Sequence, residues 1–391
     1  MKRLLFISLV LIGLNTEAQI DYSKLIIGRT TGQKDLHDGN STRIMGFAET
    51  LSEEIDIPGP TIYMNEGDSV EIDFWNMSQG APHTIHLHGL DVDQANDGVP
   101  NLSFDVHHMD HGYYRFKAPH AGTYLYHCHV VSTIHVQAGM YGVIIVRPPS
   151  GDANTTWDGG ETYDREFIWT SSEIDTNWHT NAVLDHDTVG PVMIPSSYTP
   201  QYFFNSGFSG TDLTDVTNFY TAAENDKVYL RLSNIGYYGV RYIFPSSVNA
   251  RTLSSDGRPL ATDFVSDTIT IMPGERFGTM VQLGSDPLYP VTMEHFNLNN
   301  QIVESAQTVT IRTSQANITD INLIQKPLIY PNPSKNGLFY HVNGFDEKFE
   351  VQNILGQKIS QDNTEFIDLS NESSGIYFVN YKGNNIRIVK D

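Results

Sequence analysis

Apolar residues in this chain come in short runs rich in Val, Ile, Tyr and Phe, and Gly, Pro, Asn and Asp punctuate them. Runs of that length and composition predict strands rather than helices, with successive side chains on opposite faces of the backbone. Toward the N-terminus strands are expected over Ser69–Trp75, Thr84–His88, Tyr113–Lys117, Thr123–Cys128 and Tyr141–Arg147. Turns are expected at Gly67-Asp68, Asp97-Gly98 and Ala121-Gly122. Farther along, Glu166–Thr170, Lys227–Ser233, Thr268–Ile271 and Arg276–Gln282 read the same way, with Asp256-Gly257 and Pro273-Gly274 as turns. No amphipathic helix of convincing length emerges. The fold class is all-β, and the density of short strands reads as β-sandwiches.

The ends and breaks of the pattern divide the chain. Residues Met1–Ala18 carry Lys2 and Arg3, an apolar run from Leu4 to Leu14, then Thr16 and Ala18 before Gln19. That order reads as a secretory signal peptide, too short to span a membrane as a helix. No other stretch is apolar enough to cross a bilayer, so the mature protein is expected to be soluble and exported. Pro148, Pro149, Ser150, Gly151 and Asp152 open a polar linker that reaches Tyr163. Three units are expected after the signal peptide: residues 19–148, 149–316 and 327–391.

Charge narrows the partners. The chain has 46 acidic against 24 basic residues, a formal charge of −22, which disfavours nucleic acid and anionic lipid. The acidity is spread along the chain and reads as a solubilising surface, one that favours cationic or neutral substrates and metal ions.

The chemistry is concentrated in GTYLYHCHVVSTIHVQAGMYGVIIV, which holds the one cysteine of the chain. Read as strand, loop, strand, this stretch sends His127 and His129 one way and Cys128 the other. Upstream, APHTIHLHGLDVDQANDGVP places His86 and His88 on one face and His83 on the opposite one. Two donor sets result. Cys128, His83, His135 and Met140 offer a thiolate, two imidazoles and a thioether, the soft trigonal-plus-axial set that suits a blue mononuclear copper. His86, His88, His127 and His129 offer a second, histidine-only site. A lone cysteine in an exported chain is commonly a buried thiol or half of an intermolecular disulfide, but neither accounts for imidazoles on both sides of it. His107, His108 and His111 in HHMDH read as an exposed loop, and His179, His186 and His295, with no HxH pair among them, as structural or surface residues.

These two segments resemble the copper motifs of multicopper oxidases, the laccase-like family, written HPxHLHG and HCHxxxHxxxGM. The resemblance implies cupredoxin domains. It also implies type 1 copper at His83, Cys128, His135 and Met140, a type 2 ligand in His86, and type 3 ligands in His88, His127 and His129. The gap between Cys128 and His135 is longer than in the common motif, while HVQAGM keeps the spacing to Met140. DKVYLRLSNIG, SSDGRPL and TIMPGERFGTMVQ resemble the family's second cupredoxin domain. The implied reaction takes single electrons from a phenol, an amine or a metal ion at the type 1 copper, passes them through His-Cys-His and reduces dioxygen. Asp97 matches the family's proton-delivering acid and equally reads as half of a turn.

The resemblance also implies eight histidines around a trinuclear cluster, four from each of two domains, and only four are in recognised positions here. A homo-oligomer that sets two quartets face to face would supply eight. A three-chain ring like that of two-domain laccases would instead meet a second domain poor in ligands, and an incomplete second site is the remaining alternative. Two other functions stay open: a copper nitrite reductase, whose pattern carries an acid at the position of His86 and no histidine at that of His129, and a non-catalytic blue copper carrier. From Leu328, LIYPNPSKNGLFYHVNG, FEVQNILGQKI and SSGIYFVNYKGNNIRIVKD resemble the C-terminal sorting domain of the type IX secretion system. That implies transit through the periplasm and delivery across the outer membrane, to the medium or the cell surface. His341 in this tail reads as structural.

Overall fold

The computed structural model describes residues 20–185 and 194–314, and in the tail residues 329–330, 334–341, 348–353, 356–359, 366–381 and 384–390. Met1–Ala18, expected to be a signal peptide, and His186 lie outside the described residues. Among those described, the chain is built of strands with helices of at most five residues, and none is long and apolar enough to cross a membrane. The chain divides into a large unit ending at Ala316 and a C-terminal unit.

The large unit opens with eight strands: β1 (Tyr22–Asp35), β2 (Ser41–Ala48), β3 (Ile62–Asn65), β4 (Ser69–Asn76), β5 (His86–His88), β6 (His111–Lys117), β7 (Gly122–His127) and β8 (Tyr141–Arg147). One sheet runs β2-β1-β4-β6 and the other β3-β8-β7-β5. Alternation decides which side chains fill the space between them. In β4, Val70, Ile72 and Phe74 are buried while Glu71 and Asp73 are half-exposed, as a strand covered on one face requires. β7 and β8 are buried nearly throughout because both their faces are covered. Tyr124, Tyr126, Ile144 and Val146 pack into the first sandwich. Leu125, Val143 and Ile145 pack outward on Ile174, Phe204 and Ile235 of a second sandwich.

That second sandwich pairs a seven-stranded sheet, which includes Arg165–Ile174, Lys227–Asn234, Arg276–Gln282, Arg251–Ser255 and Arg258–Val265, with a five-stranded one. Its core is apolar, around Trp169, Leu230, Leu232, Tyr242, Ile271 and Val291. A buried polar staple joins the two sandwiches. Arg147 of β8 forks onto both carboxylate oxygens of Glu166 at 2.7 Å. The fully buried Arg231 donates to Glu166 at 2.7 Å and to Thr123 Oγ1 of β7 at 2.9 Å.

Several local expectations change. β5 is only three residues long: His83 is held by a single antiparallel bridge to Val106, and the Ile85 N–H is taken by the Tyr114 hydroxyl at 2.9 Å instead of a neighbouring strand. β7 ends at His127, so Cys128 and His129 lie just past it. Gly122 opens β7 instead of forming a turn; a Cβ there would meet Gly257 of the second sandwich at 2.7 Å. His107, His108 and His111 are all exposed, but His111 is the first residue of β6 and not part of a loop, and it stacks on Trp75 with ring centroids 5.1 Å apart. The segment between Cys128 and His135 holds one helical turn, Ser132–His135, entered through Val131 at φ +43°.

In the C-terminal unit, short strands form a three-stranded and a four-stranded sheet around Phe339, Val351, Ile367, Leu369, Val379 and Ile388. Gly337 takes the φ of +76° that its turn requires, and His341 closes a strand.

Candidate metal centres

β5 and β7 run antiparallel with His86 opposite His127, Leu87 opposite Tyr126 and His88 opposite Leu125. Residues directly opposite share a face. His86, His88 and His127 therefore stand on the side turned toward the second sandwich, together with Leu125, while Leu87 and Tyr126 enter the core of the first. Cys128 follows the parity of Tyr124 and Tyr126 and lies in that first core. The two donor sets consequently occupy opposite faces of one sheet.

In the core, the Cys128 Sγ lies 3.5 Å from His83 Nδ1 and 3.3 Å from His135 Nδ1. The two imidazole rings are 4.6 Å apart, and His83, Cys128, His135 and Met140 are all buried. Met140 is tied to both neighbours by its backbone: its N–H donates to the His135 carbonyl at 2.9 Å, and its carbonyl accepts from Cys128 N at 3.0 Å. The longer Cys128–His135 segment thus still returns His135 to the sulfur, because its surplus length is coiled into the helical turn. A first-row ion bonded at about 2.3 Å to sulfur and about 2.0 Å to nitrogen sets those donors roughly 3.5 Å apart, so the trio fits a metal without rearrangement. Burial pushes the Cys128 thiol up to about 11, so at neutral pH the sulfur keeps its proton until a cation displaces it.

On the other face, ligand atoms of His86, His88 and His127 all lie within 4.8 Å of one another. Their tautomers follow from their partners, since a carbonyl only accepts. His86 Nδ1 donates to the Asp97 carbonyl at 2.7 Å and His127 Nδ1 to the Cys128 carbonyl at 3.0 Å, leaving Nε2 of each ring as a lone pair. His88 turns its Nδ1 to His127 Nε2 at 3.2 Å. Burial lowers all three rings, His127 to about 3 and His88 to about 4, the latter also through the charge of Arg276. They are neutral imidazoles at physiological pH, the form that binds a metal. His129 falls outside that group of ligand atoms, yet its half-exposed ring lies 5.2 Å from that of His86, as near as rings within the trio, and its N–H donates to Thr84 Oγ1 at 2.9 Å.

Asp97 combines a turn with a place beside the histidine set. Its turn is closed by Gly98 at φ +79°, where a Cβ would strike the Ile85 carbonyl at 2.0 Å, and its carboxylate lies 3.5 Å from the same His86 Nδ1 that its carbonyl accepts from. Two other described histidines, His179 and His295, lie elsewhere. His179 is buried with Nδ1 on the Arg43 carbonyl at 2.5 Å, and His295 is buried against Ser171 Oγ at 2.8 Å. What sequence reasoning missed is the second sandwich's part in the histidine face: Gly274 and Arg276 abut His88. The turn at Pro273-Gly274 was visible, but no spacing rule connects it to a histidine so far upstream.

Residues 37–151 match the family model for multicopper oxidases, and residues 328–391 match that for the secretion system C-terminal sorting domain. A copper resistance protein A homologue from Pseudomonas syringae pv. tomato is 42% identical over 113 residues, 29% of this chain and 18% of that protein. A copper-containing nitrite reductase from Alcaligenes xylosoxydans is 26% identical over 201 residues, 49% of this chain and 57% of that one. The chain thus aligns with under a fifth of the first relative and a little over half of the second. In fold, it is similar to the blue copper oxidase of Nitrosomonas europaea, with a TM-score of 0.59 and 23% identity over 75% of this chain and 86% of that one. The likeness extends to the all-β, cupredoxin-like architecture of the large unit.

Proposed function

We infer, from a chain whose residues 37–151 are a multicopper oxidase domain and whose residues 328–391 are a secretion-system sorting domain, an exported copper oxidoreductase of laccase-like type. Its reductant is a phenol, an amine or a metal ion, and its electron acceptor is dioxygen. His83, Cys128, His135 and Met140 hold a type 1 copper; His86, His88 and His127, with His129 beside them, hold the second copper site. Copper supplies one-electron chemistry at both places, so that four single electrons and four protons convert one dioxygen to two waters.

The observation that carries this reading is the step from His127 to Cys128. The two residues are covalent neighbours, yet one side chain lies in the core with His83 and His135 and the other faces His86 and His88. A single peptide unit therefore joins the two centres. The buried core would keep water from the thiolate, and backbone bonds tie the buried Met140 to His135 and Cys128, where it would serve as a fourth ligand. Beside His83 and His135 lies a small recess lined also by Gln79, Gly80 and Asp185, the place where a reductant approaches. Asp185 pairs there with Arg43 at 2.6 Å, and Arg43 also lines a separate cleft of about 820 Å³ with Lys34 and Glu54. At the histidine face the half-exposed Asp97 carboxylate is placed to hold and pass protons beside His86. The sorting domain and the signal peptide together support export by the type IX route, through the periplasm. A homo-oligomer bringing two histidine quartets together would complete an eight-histidine cluster.

A second reading rests on a specific observation. Among the described residues the ligand atoms of three histidines lie within 4.8 Å of one another, with His129 just outside that group, as a single-copper site would need, and the nitrite reductase relative aligns with more of this chain than the copper resistance relative does. Oxygen uptake with a diphenol or a cuprous salt, run beside nitrite consumption on the same copper-loaded sample, separates the readings. Oxygen uptake without nitrite loss supports the oxidase; nitrite loss supports the second reading; neither, with the blue colour present, leaves an electron carrier and contradicts both.

A further inference from the structure

On the side turned toward the second sandwich, the histidine centre is closed by the chain itself. The Gly274 backbone lies close against the edge of the His88 ring: a Cβ placed on Gly274 would lie 3.2 Å from His88 Cε1 and 3.3 Å from its Nε2. The Gly274 carbonyl also accepts from Arg276 Nη1 at 2.6 Å. Arg276 Nη2 comes so near Gly89, the residue after His88, that a Cβ there would sit 2.2 Å from it. Only glycine, which also adopts φ +83° at this point, leaves room for the guanidinium. Asp256 Oδ1 holds both the Arg276 backbone N–H and Nη1 at 3.1 Å. Just 5% of the Arg276 side chain is exposed, and its Nε is buried with no hydrogen-bond partner. A cation withdrawn from water this far is costly for the fold, more than anchoring a surface turn calls for.

We propose that Arg276 is a positioning residue of the histidine centre, fixing His88 through Gly274 and Gly89 so that its Nδ1 faces His127 while its Nε2 edge rests against Gly274. The second sandwich, none of whose described histidines joins the centre, thereby sets the orientation of a ligand in the first. Hydrogen bonds behind a ligating imidazole hold its tautomer and ring angle, and their loss typically weakens metal binding about 10- to 100-fold. The proposal rests on the reading of His86, His88 and His127 as a copper site.

The test is a copper(II) titration of the full-length chain carrying Cys128→Ser, which leaves the histidine centre alone, against a competing chelator, with the nitrogen hyperfine pattern read by electron paramagnetic resonance. R276M added to that chain is expected to weaken binding about 10- to 100-fold and to alter the nitrogen pattern. In the chain that keeps Cys128, R276M is expected to leave the blue absorption unchanged, which a general structural collapse would not. R276K, with one donor group in place of a fork, is expected to fall between the two, and it decides the matter if R276M does not fold. Equal affinity and an unchanged pattern in the folded Arg276 variant overturn the proposal while leaving the copper site standing. No copper uptake by the Cys128→Ser parent refutes the site itself, and the proposal with it.

Discussion

Cys128 and His127 differ by one position and by about eight units of proton affinity, the thiol pushed by burial up to about 11 and the imidazole down to about 3. The difference sets how each centre takes up copper. Binding at the thiol expels a proton, so its apparent affinity is expected to rise about tenfold per pH unit across the neutral range. The histidine centre, where burial lowers His86, His88 and His127 and holds them neutral at physiological pH, should show far less slope. Chelator competition between pH 6 and 9, followed by blue absorption for one site and by electron paramagnetic resonance for the other, checks both. Asp97 makes a separate expectation: D97N keeps the backbone carbonyl that orients His86, so copper content should hold while turnover falls roughly 100-fold or more. Equal loss of copper and turnover would make Asp97 a structural residue only.

Between residue and domain, the strands β7 and β8 do most of the organising, and their pattern explains what was legible in the sequence. The opposite facing of Cys128 and His127 follows from strand parity alone, and so does the shared face of His86 and His88. Parity could not reveal the helical turn at Ser132–His135, since two added residues in a loop have no period. Nor could it reveal that β7 and β8 are covered on both faces, which explains why YGVIIV is apolar without alternation. The polar staple that covers one of these faces was equally hidden: Arg147, Glu166 and Arg231 are far apart in sequence and converge only when the sandwiches dock. Glu166 faces two cations there, so E166A leaves both uncompensated and is expected to cost about 3–5 kcal/mol, read as a lower thermal midpoint in the copper-free chain. A shift of less than about a degree would show that the staple carries little of the docking energy.

Across the whole molecule, the same docking buries an acid. Glu173 is fully enclosed, with one oxygen accepting from Tyr198 and from the backbone of Tyr237 and Tyr238 and the other unpartnered. Burial raises its carboxyl from 4.5 to about 7. The folded chain therefore holds this proton to higher pH than the unfolded chain does. Its contribution is intact below about pH 4.5 and is lost as pH rises to 7, a difference of about 3 kcal/mol. E173Q is expected to flatten that part of the stability profile measured by urea unfolding between pH 4.5 and 8; an unchanged slope would place its source elsewhere. Turn residues and the Pro148-Pro149 break lead to the expectation of separate β-rich units, whereas the contact between sandwiches, which brings Arg276 to His88 within one large unit, depends on tertiary packing that no local signal encodes. The central claim is that one short segment serves two copper centres on opposite sides of a sheet. Anomalous diffraction at the copper edge from crystals of the copper-loaded protein tests it most directly. The expected map has one peak enclosed by His83, Cys128, His135 and Met140 and another against His86, His88 and His127; copper at only one of these places, or bound by neither group, would contradict the account.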